Sequence, residues 1–359
     1  METLSDQTKR VLFVLPSLLP GGAERVLITL MNGLDRTRFS PSLLSVMPKG
    51  NLDSIVDKEI PIQNLNKGGV MRALPALYGA IRHSRPDIVI STMAHMNFAV
   101  LLLKPFFPRT KFIVREAITP SFFFRKNDLR GWLVKMGYKY LYKHADAVIS
   151  PSHIILDQFR NVLDMKNCRY VLLHNPVDTD LIGAKAGTPV FDTTLKFIAS
   201  GRLHTQKGYD RLITALKDFN PGLPWRLDIL GEGEQRAALQ SLITQYDLND
   251  KIRLLGHTDN PWKYYVAADC LLLPSRWEGM PNVALESLAC GTPVIAMSEA
   301  GGIGEIAAKA DAGAVRIAHS MDEFTTMMKN ITAKTNNKSL LPALFERKNI
   351  QQSFEKILL

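Results

Sequence analysis

Two glutamates eight positions apart flank a Gly-Met-Pro turn in the run Ser275-Arg276-Trp277-Glu278-Gly279-Met280-Pro281-Asn282-Val283-Ala284-Leu285-Glu286. Pro281 suits the first turn of a helix, where its missing N–H costs nothing, and Gly279 frees the backbone before it. The amides of roughly Met280 to Val283 are then expected to point outward, and a helix start of this kind attracts phosphate. Glu278 would stand in the loop beside the phosphate. Glu286, about 12 Å further along the helix, would reach another part of an extended ligand. Taken alone, the pattern also fits an ordinary helix start with a solvated glutamate.

A second group of candidates is Gly201-Arg202-Leu203-His204-Thr205-Gln206-Lys207-Gly208. Arg202 supplies a fork of donors and Lys207 a point charge, the pair that a diphosphate needs. A third is Gly231-Glu232-Gly233, a glycine turn where a nucleotide base can approach the backbone. It is half of a dinucleotide fingerprint, because Arg236 stands where the third glycine belongs.

Each group follows a short apolar run that reads as a buried strand. In the second half these runs are Leu195–Ser200, Trp225–Leu230, Ile252–Leu255, Cys270–Leu273 and Val294–Ala296. In the first half they are Val11–Leu15, Ser42–Met47, Asp87–Ser91, Lys111–Arg115, Ala147–Ser150 and Arg169–Leu173. After Pro20-Gly21-Gly22, Ala23 to Leu34 has helical periodicity. Strands alternating with helices predict an α/β protein with two doubly wound, parallel-sheet units. Open sheets of this kind bind ligands at their strand ends. The stretch from Asn175 to Pro189 reads as a linker, and Lys334-Thr335-Asn336-Asn337-Lys338 as a surface loop.

A chain of 359 residues exceeds one ordinary core, and 46% hydrophobic with 22% charged residues excludes the disordered and membrane-spanning classes. Met1-Glu2-Thr3-Leu4-Ser5-Asp6 has an acid where a signal peptide carries bases. Cys168, Cys270 and Cys290 have no metal-ligand spacing and read as free thiols of a reducing compartment.

The net charge of +10 is uneven: residues 1–180 hold 24 basic against 15 acidic residues, leaving 20 against 19 for the rest. Between Lys104 and Lys143 lie ten basic residues and two acids, interleaved with Phe106, Phe107, Phe122, Phe123, Phe124, Trp132, Tyr138, Tyr140 and Tyr142. This mixture suits an anionic membrane surface. Nucleic acid is not expected as a partner, since no nucleic-acid module accompanies the segment.

In order and spacing, Gly201-Arg202-Leu203, Lys207-Gly208, Gly231-x-Gly233, Glu278-x7-Glu286 and Ala289-Cys290-Gly291-Thr292-Pro293-Val294 resemble the retaining glycosyltransferases of group 1 (family 4). Gly21-Gly22-Ala23-Glu24-Arg25 resembles their lipid-linked oligosaccharide, O-antigen and capsule branch. The resemblance implies the GT-B fold, two Rossmann-like domains facing a central cleft. Residues 1–180 would bind the acceptor, 181–344 the nucleotide sugar, and a helix in 345–359 would cross back to the first domain.

The resemblance also implies roles. Arg202 and Lys207 would hold the donor diphosphate and stabilise it as it leaves. Glu278 would contact the transferred sugar, helped by the amides of Gly279, Met280, Asn282 and Val283. Glu286 would hold the ribose hydroxyls, and Gly21 and Gly22 would let the first domain approach the donor. Glu305 is a weaker candidate. Ala117 occupies the position of a familiar histidine, leaving Glu116, His95 or His174 as substitutes.

The implied chemistry is same-face transfer through an oxocarbenium-like transition state, with no metal and no cofactor. The implied substrates are a nucleotide sugar, UDP-linked, and a polyprenyl-diphosphate-linked glycan at the cytoplasmic face of a membrane. Two other readings are a transferase-like subunit without catalysis and a nucleotide-sugar epimerase.

Overall fold

The computed structural model describes residues 8–19, 21–47, 50–124, 128–165, 168–188 and 193–359. Pro20, Arg125, Lys126, Asn127, Pro189 and the Met1–Asp6 segment therefore lie outside the described residues. The chain divides into two compact units, residues 1–176 with 347–359, and residues 177–346.

The first unit contains β1 (Lys9–Leu15), α1 (Gly22–Asn32), β2 (Phe39–Ser45), β3 (Ile62–Asn64), α2 (Leu74–Ser84), β4 (Ile88–Thr92), α3 (Ala94–Leu103), β5 (Lys111–Arg115), α4 (Leu129–Leu141), β6 (Ala147–Ser150), α5 (His153–Asn161) and β7 (Tyr170–Leu172). Its seven strands pair in the order β3-β2-β1-β4-β5-β6-β7, all parallel.

The second unit contains α6 (Thr179–Ala186), β8 (Leu195–Ser200), α7 (Tyr209–Ala215), β9 (Trp225–Leu230), α8 (Arg236–Gln245), β10 (Ile252–Gly256), α9 (Trp262–Tyr265), β11 (Cys270–Leu273), α10 (Asn282–Ala289), β12 (Val294–Met297), α11 (Ile303–Ala307), β13 (Val315–Ala318) and α12 (Met321–Lys329). Its six strands pair as β10-β9-β8-β11-β12-β13, again all parallel. The last helix, α13 (Arg347–Leu358), returns to the first unit.

Central strands such as β4, β11 and β12 are buried along their whole length, because helices cover both faces of each sheet. Each unit thus has two apolar layers, one on each side of its sheet. α13 completes one of them through Ile350, Phe354, Ile357 and Leu358, a stripe at helical spacing. Phe354 lies 6.3 Å from the Phe13 ring, and Glu355 accepts from the Asp35 amide at 3.0 Å.

Three readings of the sequence change. The supposed linker contains α6, whose cap is Asp178, accepting from the Leu181 amide at 3.0 Å. The supposed surface loop is anchored: Lys334 Nζ donates to Val266 O at 2.8 Å and to Thr292 Oγ1 at 2.7 Å. Burial lowers this ammonium to a pKa of about 8. Finally, the sheets have two edge strands that the sequence did not announce, β3 and β13, each short and interrupted by polar residues. The three cysteines are free thiols, and Cys270 and Cys290 are buried. Among the described residues no helix is long and apolar enough to cross a membrane.

Candidate active site

The strand order of the second sheet reverses between β8 and β11, which lie side by side in register, Leu271 opposite Ile198. Loops leaving such a switch point are where open α/β sheets bind ligands. The loop after β8 carries Arg202 and Lys207; the loop after β11 carries Glu278.

The structure brings Lys207 and Glu278 together. Lys207 Nζ donates to Glu278 Oε1 at 2.6 Å, and Ser275 Oγ donates to the same oxygen at 2.8 Å. Only 17% of the lysine side chain and 10% of the glutamate side chain are exposed, so the pair is shielded from water. An ammonium has three donors, so a lysine bonded to one carboxylate still has donors for a phosphate oxygen.

The two loops are fastened at several further points. Arg276 N donates to Gln206 O at 2.8 Å and Gln206 Nε2 to Trp277 O at 2.9 Å. The Arg276 guanidinium holds Asp210 by two bonds of 2.7 Å. That fork keeps the Asp210 carboxyl below the ordinary carboxylate range and pushes Arg276 up. Gly208 sits between them with φ of +68°, and a Cβ there would stand 2.1 Å from Pro274 O. Only glycine fits that conformation and that approach. Beneath, Tyr209 is 2% exposed, and burial followed by the Glu278 charge raises its phenol pKa.

Arg202 is exposed in the same loop and its guanidinium makes no hydrogen bond among the described residues. Gly231 and Gly233 press against the backbone of that loop: their Cβ positions would meet Gly201 O at 2.1 Å and Leu203 O at 2.4 Å. Leu203 N donates to Glu232 O at 2.9 Å, so this turn shapes the segment that presents Arg202.

Pro281 is the cap of α10, not a residue of its first turn; the helix begins at Asn282, and Ala284 N bonds Pro281 O at 3.1 Å. Gly279 O accepts from Gly302 N at 2.8 Å, and Met280 is 6% exposed. Val283 is half-buried in the first turn of α10. Glu286 lies one turn along α10, where its Oε2 accepts from Trp262 Nε1 at 3.1 Å. Glu305 stands in the first turn of α11.

In the first unit Gly21 caps α1 in an extended conformation and Gly22 opens the helix. Glu24 folds back against Gly21 and is 7% exposed. Glu116 is a different matter from its expected contact with a sugar. It is 1% exposed, and its Oε2 accepts from Tyr142 OH at 2.6 Å and Tyr138 OH at 3.1 Å. Burial raises its carboxyl to a pKa of about 7, against the pull of those two hydroxyls. The carboxylate of this residue, the first after β5, points into the protein core towards those two hydroxyls. Ala117 is half-buried, His95 is in the first turn of α3, and His174 Nδ1 lies 2.8 Å from Pro151 O.

The sequence reading missed Arg115, 2% exposed, whose Nη2 donates to Asn175 Oδ1 at 2.5 Å and whose charge is balanced by Glu116 and Glu24. It also missed Ser275, Asp210, Arg276 and Trp262, whose partners depend on strand register. A fully buried arginine leaves no local signal in a sequence.

Two doubly wound parallel units of seven and six strands are the architecture of the GT-B fold. Residues 184–339 match the model of glycosyl transferases group 1, and residues 20–181 that of glycosyltransferase family 4. The chain belongs to this family. It is 30% identical over 302 residues to the N-acetylgalactosamine-N,N'-diacetylbacillosaminyl-diphospho-undecaprenol 4-alpha-N-acetylgalactosaminyltransferase of Campylobacter jejuni, covering 81% of each chain. An uncharacterized Methanocaldococcus jannaschii glycosyltransferase is 33% identical over 235 residues, 60% of this chain and 56% of that one. Among solved structures, HepE of Anabaena in complex with UDP superposes with a TM-score of 0.75 at 17% identity, covering 97% of this chain and 99% of that one. Sucrose-phosphate synthase of Thermosynechococcus elongatus gives 0.79 at 17%, covering 98% of each.

Proposed function

We propose that the protein is a retaining glycosyltransferase that moves a hexose or N-acetylhexosamine from a UDP-sugar to a polyprenyl-diphosphate-linked glycan during surface-polysaccharide assembly. The observation that carries this reading is the shielded Lys207–Glu278 contact of 2.6 Å at the switch point of the second sheet. Lys207 and Arg202 bind the donor diphosphate and neutralise it as the glycosidic bond breaks. Fixed charges aimed where negative charge develops lower the barrier without any resident metal or cofactor. Glu278, held by Lys207 and Ser275, contacts the hydroxyls of the transferred sugar, and the amides of Gly279, Met280, Asn282 and Val283 border it. Glu286 holds the ribose. Gly21 and Gly22 let the first unit approach the donor, and attack comes on the face from which the diphosphate departs.

The lipid acceptor is supported by the Campylobacter relative, whose name specifies a 4-alpha linkage and a diphospho-undecaprenol acceptor. The UDP donor is supported by HepE, solved with UDP. A peripheral position at the inner face of the cytoplasmic membrane is supported by α4, which exposes Leu129, Trp132 and Leu133 beside Arg130, Lys135 and Lys139.

The test is nucleotide release from a panel of UDP- and GDP-sugars, with and without lipid-linked acceptor. UDP release that requires the acceptor is expected. Glu278→Ala and Lys207→Ala each abolish turnover while melting as the parent does; near-normal rates in either remove that residue from the mechanism. Isomerised sugar without acceptor would identify an epimerase instead.

A further inference from the structure

We propose that Trp262 is a positioning residue for Glu286, and through it sets how strictly the site demands the ribose hydroxyls of its nucleotide. This rests on Glu286 as the ribose holder. Trp262 opens α9, 24 positions before Glu286 in sequence, and its indole N–H reaches Glu286 Oε2 at 3.1 Å. The ring is 6% exposed and belongs to the apolar layer that includes Val266, Ala284, Leu285 and Leu288. It cannot swing away without leaving that layer, and a buried indole is a donor only.

Glutamate on a helix otherwise samples several rotamers, and ordering such a side chain on binding costs affinity. The Trp262 bond sets the plane of the carboxylate in advance. A carboxylate offers about four lone-pair positions, of which the indole bond takes one and so orients the group. Phenylalanine would fill the same apolar space with no donor, which separates positioning from packing.

The test is calorimetric titration of the full chain with UDP, 2′-deoxy-UDP and 3′-deoxy-UDP, on the parent, Trp262→Phe, Trp262→Leu and Glu286→Gln, with thermal melting as the check on folding. The parent is expected to prefer UDP by about 10- to 100-fold, the usual worth of a hydrogen bond to a charged group. Glu286→Gln brings the three ligands close to parity. Trp262→Phe and Trp262→Leu narrow the preference by about 3- to 10-fold. A tryptophan that only packs would weaken all three ligands alike and leave the ratio as in the parent. That result in either folded Trp262 variant, with parity in Glu286→Gln, overturns the proposal and spares the role of Glu286. A full preference retained by Glu286→Gln overturns both.

Discussion

A carboxylate that already holds an ammonium and a hydroxyl is fixed before any ligand arrives. Ser275 is 0% exposed and shares Glu278 Oε1 with Lys207, so its hydroxyl helps fix the direction of that carboxylate. Ser275→Ala is expected to lower kcat by about 10-fold with little change in UDP affinity, measured by steady-state rates and calorimetry; an unchanged kcat would release Ser275 from that role. In the first unit the informative residue is Glu116. Its native pKa of about 7 lies above the ordinary 4.5, so between these values the folded protein binds the extra proton. Its contribution is fully present below pH 4.5 and is lost as pH rises through 7, a change on the order of 3 kcal/mol. Glu116→Gln keeps a carbonyl oxygen for Tyr138 and Tyr142 but cannot ionise. Urea unfolding at pH 5 and pH 8 should show the variant gaining on the parent at the higher pH, and a pH-independent difference would contradict the assignment. The placement of Lys207 and Glu278 after strands of one sheet was legible from the apolar runs that precede them. Glu116 misled because a strand end can turn inward as readily as outward, and only Tyr138 of α4 and Tyr142 just after it decide which.

At the level of elements, the site is two loops stapled by Arg276 and Asp210. A displacement near 1 Å between reacting groups can cost about 100-fold in rate. Arg276→Ala is therefore expected to cost about 10- to 100-fold in kcat, with Arg276→Lys restoring only part, since lysine keeps the charge but not the fork. Parental rates in Arg276→Lys would mean that charge alone matters. The helix α4 has a separate task. Charge reversal at Arg130, Lys135 and Lys139 should weaken binding to anionic liposomes at low salt, and unaltered cosedimentation would rule out membrane attachment by this helix. Sequence alternation revealed the central strands, whose apolar runs are unbroken. It missed the edge strands β3 and β13, whose three- and four-residue runs are short and interrupted by polar residues, and α6, hidden among turn-forming residues. The basic-aromatic segment was legible only as a mixture: folding sends Tyr138 and Tyr142 inward and leaves Trp132 and Tyr140 about half exposed.

At the scale of the whole molecule, the chain passes between the units twice, after Pro176 and after Glu346. The isolated bridge between Val177 and Glu346 ties the two passages together, with Val177 N on Phe345 O at 2.9 Å. The second unit is continuous in sequence; the first is not. Four buried apolar side chains of α13 contribute roughly 6–12 kcal/mol of transfer free energy to the first unit, before the entropy of ordering them. Residues 177–346 expressed alone are expected to unfold cooperatively, whereas 1–176 alone should melt early or aggregate and recover when a peptide of residues 347–359 is added. Independent, fully cooperative melting of 1–176 would show that the helix is dispensable.

The placement of α13 also has a consequence in time. A ribosome that has released residues 1–176 has released a seven-stranded sheet with one flank covered by α1 but still lacking α13. That flank stays incomplete while the entire second unit emerges and folds on its own sequence. The segment made first thus becomes the part finished last, and it is the nascent first unit that a chaperone would be needed to shield.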